Sequence, residues 1–347
     1  MKVVFIADNL TTQSAGIHVY TKQFIKKTMA QYPSHTFHHI TTEPYEIEGS
    51  YNEILPINKW IPGHYRLRYY HDIPTRIKSI GANVAIEMAH FGPFRLPSEI
   101  KRVTVVHDLT PNLYPEYHDM PSVLWHKNQF GKLLRSVDAI VCNSVTTKED
   151  IVEHLGIYGG KINICYPAVV AGHEQLADVD RSDEPLQLLT VGTVEPRKNH
   201  LLILEALTKW YDEQRQDFRW VVAGSKGWKS EPFYQALESS PIKDMVEMRG
   251  YVDDYELSTL YQESDLFLFA SHYEGFGLPI LEAMGYGLCV VLSDTKIHRE
   301  VGGAGCTYFG TAEDLTRELT DIGTSCSANH LNQLERLANA TFEVPYL

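Results

Sequence analysis

Leu186-Gln187-Leu188-Leu189-Thr190-Val191-Gly192-Thr193-Val194-Glu195-Pro196-Arg197-Lys198-Asn199 is the stretch from which the fold can be read. The run from Leu186 to Val191 is short, apolar and closed by a glycine, which is the pattern of a buried parallel strand. Gly192 opens a turn, and helical spacing begins near His200. A strand that ends in a glycine turn and a helix N-terminus offers backbone N–H groups to an anion, and Arg197 with Lys198 adds two full positive charges there. A diphosphate is the natural guest. The local pattern also allows a solvated basic turn with Asn199 as a helix N-cap.

Outward from this stretch the same alternation recurs. Strand-like runs lie at Val3–Ala7, Val84–Met88, Val103–His107, Ala139–Asn143 and Ile162–Tyr166, then at Leu186–Val191, Trp220–Ala223, Val246–Tyr251, Leu266–Ala270 and Cys289–Ser293. Helical patterns such as His200–Tyr211, Asp254–Glu263 and Pro279–Tyr286 fall between them. This is an α/β series repeated twice, and 347 residues exceed one ordinary core. The polar, acidic segment from Ala168 to Pro185 reads as the linker, which predicts an N-terminal domain over 1–170 and a C-terminal domain over 171–347. Ligands of open parallel sheets bind beyond the carboxyl ends of the strands, so two such sheets facing across a cleft would gather functional residues at strand ends. The first turn does not spell GxGxxG, which argues against a dinucleotide oxidoreductase.

Composition narrows the classes. With 44% hydrophobic and 22% charged residues the chain reads as an ordinary globular protein, and a formal charge of -13 argues against a general nucleic-acid binder. The five cysteines are far apart and form no CxxC pair, which predicts thiols in a reducing compartment and hence a cytoplasmic protein. Met1–Asp8 turns polar too soon for a signal peptide, and no stretch is long and apolar enough to cross a bilayer.

A second segment, Glu274-Gly275-Phe276-Gly277-Leu278-Pro279-Ile280-Leu281-Glu282, follows the run Leu266–Ala270. Its glycines allow a tight backbone path, Pro279 suits the first turn of a helix, and Glu282 falls close to that turn. Carboxylates at the two ends of such a loop can accept hydrogen bonds from different hydroxyls of one sugar nucleotide. Helix-end electrostatics for Glu282 and a solvated loop charge for Glu274 remain the plain alternatives. Asp253-Asp254 reads as a helix cap rather than a metal motif.

The two segments, in this order and separation, resemble the sugar-nucleotide site of the group 1 (family 4) retaining glycosyltransferases with the GT-B fold, two Rossmann-like domains facing across a cleft. Val103-Thr104-Val105-Val106-His107-Asp108-Leu109, Ala139-Ile140-Val141-Cys142-Asn143-Ser144, Arg249-Gly250-Tyr251-Val252 and Arg299-Glu300-Val301 extend the resemblance, which covers roughly Met1 to Phe309. It implies that Arg197 and Lys198 clamp the diphosphate and stabilise the charge that grows on it as the glycosidic bond breaks. By the same resemblance Glu274 holds hydroxyls of the donor sugar, Glu282 the ribose, and backbone groups around Gly250, Tyr251 and Val252 the base. Gly192, Asn199, Gly275, Phe276, Gly277 and Leu278 shape the donor site, and His107 reaches across the cleft to the transferred sugar. Gly16 lets the first helix approach the phosphates or the acceptor, less closely than the glycine pair usual in the family.

The implied chemistry is front-face displacement with retention, without a metal or other cofactor, because cationic side chains replace the divalent ion. The turn at Gly192–Asn199 resembles that of bacterial mannosyltransferases, so the expected donor is GDP-mannose and the expected reaction is hexose transfer to a saccharide or lipid-linked acceptor. A nucleotide-sugar epimerase or hydrolase of the same fold, and a non-catalytic nucleotide-sugar binding protein, are the competing readings. Residues 59–78 are basic and aromatic within an acidic chain, which suggests peripheral contact with the inner face of a membrane, or else a partly packed connection. Family members usually end in a helix that crosses back to the first domain. Pro345 discourages one here, so the crossover is expected to be short or missing.

Overall fold

The computed structural model describes residues 1–12, 15–58, 60, 63–168, 185–322 and 330–347. They form two units, Met1–Ala168 with Ala340–Leu347, and Val169–Asn339. The expected linker falls on residues 169–184, outside the described residues.

The first unit holds β1 (Lys2–Ile6), β2 (Thr36–Thr41), β3 (Ser50–Ile54), β4 (Val84–Glu87), β5 (Lys101–Val106), β6 (Ala139–Cys142) and β7 (Ile162–Ile164). All pair in parallel, in the order β3-β2-β1-β4-β5-β6-β7. Successive side chains of β1 go to opposite faces: Val3 and Phe5 pack with Phe24 of helix Ala15–Gln31, Val4 and Ile6 with Ile73 and Ile77 of helix Ile73–Ile80. A strand covered by helices on both faces has no polar side to show, which is why its sequence is an unbroken apolar run.

The second unit holds β8 (Leu186–Val191), β9 (Phe218–Ala223), β10 (Val246–Gly250), β11 (Leu266–Phe269), β12 (Cys289–Ser293) and β13 (Thr307–Phe309), also all parallel, in the order β10-β9-β8-β11-β12-β13. Helix His200–Gln214 turns Ile203, Leu204, Leu207 and Trp210 onto this sheet, a stripe at helical spacing, beside Leu315 and Leu319 of helix Ala312–Ile322. Both units share the doubly wound strand order, whose direction of winding reverses between β1 and β4 and between β8 and β11.

Four expectations are corrected or extended. The reading of the sequence omitted β2, β3 and β13: β2 carries two histidines, β3 is a polar edge and β13 has three residues. His39 is nevertheless fully buried in β2, because Ser50 Oγ and the Tyr45 carbonyl satisfy its two ring nitrogens at 2.8 and 2.7 Å. The last eight residues belong to the first unit rather than the second. Phe342 and Val344 enter its core, with the Phe342 ring 5.3 Å from Phe24, so the crossing back is present, as an irregular segment instead of a helix. Alternating apolar residues bury without helical geometry, and Pro345 forbids the helix. Cys142, Cys165 and Cys306 are free thiols, but Cys289 is disulfide-bonded, because wide spacing in sequence does not keep cysteines apart in space.

In the basic stretch, Arg68 is buried against Asp8 just after β1 and the exposed Arg76 pairs with Glu53, while Arg66 and Lys78 are exposed and, among the described residues, in no ion pair. No helix among the described residues is long and apolar enough to cross a membrane.

Candidate functional site

Two loops leave the carboxyl ends of neighbouring strands at the reversal point of the second sheet. From β8 the chain turns through Gly192, whose φ of 143° suits glycine, into a short 3-10 turn, Pro196–Lys198, and Asn199 at φ 54° starts helix His200–Gln214. Asn199 makes no side-chain cap. Gly224, at the end of β9, packs so closely that a Cβ there would overlap the Gly192 carbonyl. From β11 the second loop carries Glu274, Gly275, Phe276 and Gly277 into helix Leu278–Gly285, with Gly277 at φ 93°.

The loops meet through charge. Glu274 Oε1 lies 2.8 Å from Arg197 Nη1 and 2.7 Å from Lys198 Nζ. Arg197 is held further by Glu195 Oε1, 2.6 Å from Nη2, and donates from Nη1 to the Tyr273 carbonyl at 2.8 Å. Lys198 Nζ also stands 4.6 Å from the centre of the Phe269 ring. Burial pushes the Glu274 carboxyl up, but Arg197 and then Lys198 more than reverse this and hold it well below the usual carboxylate range. Burial lowers the Lys198 pKa, against the opposing pull of Glu274. Two cations and two carboxylates are thus packed where the helix N-terminus favours an anion.

His298 adds a buried neutral base near this group. Its Nδ1 lies 2.9 Å from the Ser293 carbonyl and therefore donates, and Nε2 has no partner among the described residues. Burial brings its pKa down to about 4, and it feels both Glu274 and Lys198.

Glu282 sits apart from the cations. Its Oε2 accepts from Tyr261 Oη at 2.9 Å, and burial raises its pKa. Gly250, at φ 70°, ends β10, Tyr251 is exposed, and the Asp253 side chain caps helix Asp254–Glu263 by accepting from the Glu256 N–H.

His107 and Gly16 belong to the first unit. His107 follows β5, and its Nε2 lies 2.7 Å from the Met88 carbonyl, which only accepts; Nε2 therefore carries the proton and Nδ1 is the acceptor of a neutral ring. Burial lowers its pKa. Gly16 is exposed in the first turn of helix Ala15–Gln31. The reversal point of this sheet holds a second polar group, the Asp8–Arg68 pair beside Glu87, whose carboxyl accepts from the Ala89 and Phe91 N–H groups and is pushed by burial up to about 8.

The structure thus brings together Arg197, Lys198, Glu274 and Gly192 of the residues read from sequence. Sequence reasoning missed Glu195, Tyr261, His298 and Glu87. Glu195 stood inside the motif and could have been suspected as the partner of an adjacent arginine. Tyr261 depends on Glu282, twenty-one residues away, and His298 and Glu87 on nearby backbone groups that no composition pattern announces.

Comparison with known families decides the relationship. Residues 173–322 match the family described as glycosyl transferases group 1, and residues 16–171 match glycosyltransferase family 4. The chain belongs to the group 1, family 4 glycosyltransferases. Among relatives of this glycosyltransferase family, the O-antigen chain mannosyltransferase B of Escherichia coli is 32% identical over 227 residues, 62% of this chain and 60% of that protein. The serotype-specific mannosyltransferase WbdA of Escherichia coli is 26% identical over 73% of this chain but 34% of its own length. The chain therefore spans less than two thirds of these relatives. Solved structures share the fold: a glycosyltransferase from Rickettsia africae has a TM-score of 0.73 at 16% identity, covering 98% of this chain and 94% of that one. Anabaena HepE, crystallised with UDP and glucose, has a TM-score of 0.73 at 15% identity, covering 99% of this chain and 96% of its own. The fold is GT-B.

Proposed function

We propose that the chain is a retaining hexosyltransferase that moves mannose from GDP-mannose to a saccharide or lipid-linked acceptor. The observation that carries the reading is the meeting of Arg197, Lys198 and Glu274 at the strand ends where the second sheet reverses its winding. Relatives named as mannosyltransferases support the choice of sugar.

In this reading the donor diphosphate lies on the Gly192 turn and the N-terminus of helix His200–Gln214. As the anomeric C–O bond breaks, its electron pair moves to the phosphate oxygen, and Arg197 and Lys198 stabilise the charge that appears there. Glu195 and the Tyr273 carbonyl fix the guanidinium beforehand, so little reorganisation is left for the reaction itself. Glu274 sets the position of both cations while accepting from the sugar hydroxyls. The acceptor oxygen bonds to the anomeric carbon on the face the phosphate leaves, and its proton passes to the phosphate oxygen, which preserves configuration. Side-chain cations supply the charge that a divalent ion supplies elsewhere. Glu282 binds the ribose, backbone at Gly250, Tyr251 and Val252 the base, and His107, with Nδ1 as acceptor, a hydroxyl of the transferred sugar. Asn199, Gly275, Phe276 and Leu278 line the donor site, and Gly16 admits phosphate or acceptor.

In the same reading the reaction takes place in the cytoplasm, at the inner membrane face. Trp60, Tyr65, Leu67 and Tyr70 are exposed and would enter the headgroup region with Arg66 and Lys78, a weaker basic surface than the sequence suggested, because Arg68 and Arg76 are already paired. Loss of binding to anionic vesicles in a flotation assay would remove this contact.

The test of function is product analysis. Incubation with GDP-mannose, UDP-glucose or UDP-galactose and a mannoside acceptor in chelator should give an acceptor-dependent α-glycoside from GDP-mannose. Free sugar alone, or an epimerised nucleotide sugar, would refute transfer.

A further inference from the structure

The nucleoside end of the site holds a contact that the proposed chemistry does not use. Tyr261 lies on helix Asp254–Glu263 and is 2% exposed. Its ring stacks on Tyr286, with centroids 5.2 Å apart and planes 12° apart, and leans on Phe267 at 6.0 Å. Tyr286 contributes its ring to the stack, while its hydroxyl points elsewhere and donates to Ser258 Oγ at 2.8 Å. A phenol in such a stack cannot swing away, so its oxygen has a fixed place. From there the O–H reaches Glu282 Oε2 at 2.9 Å, with the Pro279 carbonyl farther off at 3.4 Å.

Glu282 has three rotatable bonds in its side chain and sits in the second turn of helix Leu278–Gly285. Among the described residues its Oε1 accepts no hydrogen bond. A carboxylate held by one oxygen and open at the other is preorganised to accept from a further hydroxyl, and fixing it in advance reduces the entropy lost on binding. Resting on the donor-site reading above, we propose that Tyr261 is a positioning residue for the nucleoside: it holds Glu282 Oε2 so that Oε1 accepts from the ribose 2′- and 3′-hydroxyls. Burial raises the Glu282 pKa, and the Tyr261 hydrogen bond opposes this.

The experiment is calorimetry of the whole chain, in chelator, with GDP, UDP and ADP and the 2′,3′-dideoxy form of whichever binds. Wild type should bind one diphosphate about tenfold or more tightly than its dideoxy form, the scale of one hydrogen bond to a charged group. Tyr261→Phe should bring the two within about threefold by weakening only the ribose form, and Tyr261→Phe/Glu282→Gln should lose no more than Glu282→Gln alone. Tyr286→Phe removes a hydroxyl from the same stack without touching Glu282 and should keep the discrimination, which separates positioning from general loosening of the helix pair. Wild-type discrimination that survives in Tyr261→Phe, or that is lost equally in Tyr286→Phe, overturns the inference while leaving the donor site standing. Wild type that binds none of the diphosphates overturns the donor site and the inference with it.

Discussion

Removing Arg197 should unfold the second unit more readily as well as slow the reaction. The sequence alone treats Arg197→Ala as a lesion of rate. In the structure the guanidinium is 17% exposed and bridges Glu195, whose side chain is 2% exposed, to Glu274, 10% exposed. Among the described residues Glu195 Oε2 already has no partner, so the substitution leaves a buried carboxylate with neither oxygen paired, whereas Glu274 keeps Lys198. Breaking a buried pair from one side costs about 3–5 kcal/mol. For a unit of this size that corresponds to a fall of roughly 6–20 °C in melting temperature. Trp210 and Trp220, both in the core of this unit, report it by fluorescence in heat or urea. Glu195→Gln combined with Arg197→Ala should recover most of the loss, because no charge is then stranded. Melting of Arg197→Ala within about 2 °C of wild type would refute the reasoning, since it would mean that losing the guanidinium does not strand Glu195.

Three other perturbations follow from particular contacts. Burial holds His200 at about 3 and His298 at about 4, below the unperturbed 6.5, so the unfolded chain binds protons first and stability is full above pH 6.5 and falls as pH drops toward those values. At pH 5 each should contribute a loss of about 2 kcal/mol in urea unfolding, and His200→Leu should flatten the slope; a midpoint indifferent to pH between 7 and 5 would contradict this. Gly224→Ala should force the Gly192 carbonyl aside, destabilise the second unit by about 1–3 kcal/mol and abolish nucleotide binding, and unaltered binding by calorimetry would count against the packing of these two turns. Phe342→Ala should lower the stability of the first unit by about 3–5 kcal/mol, read by hydrogen exchange of helix Ala15–Gln31, because Phe342 packs on Phe24 and under Lys27 Nζ, 4.5 Å from its ring. Unchanged protection there would argue that the segment is not part of that core.

Much of the fold was legible because β1, β4, β5, β8, β11 and β12 are buried on both faces and so have no choice but to be apolar runs. Two edge strands and one inner strand were not, since β3 and β13 bury little and β2, between β3 and β1, spends its polar residues on contacts with Tyr45 and Ser50 that no local pattern announces. The same division governs the site. Gly192, Arg197 and Lys198 were legible because one turn must both bend sharply and carry charge, and Glu274 because it begins a glycine loop. Tyr261 and His298 were invisible because each is defined by a partner on another element, Glu282 and the Ser293 carbonyl respectively. Residues 59–78 left two readings open, a basic surface and a partly packed connection, because counting arginines cannot tell that Arg68 turns inward to Asp8.

The most direct test of the central claim is a thermal-shift panel in chelator with GDP, UDP, ADP, TDP and CMP, run on wild type and on Lys198→Ala. Lys198 faces Glu274 at 2.7 Å and would meet the diphosphate directly. The account predicts that wild type is stabilised by one nucleoside diphosphate, GDP first, by about 3 kcal/mol at a hundredfold excess over its dissociation constant, and that Lys198→Ala loses most of that gain. Stabilisation by none of the diphosphates, or an equal gain in Lys198→Ala, would contradict it.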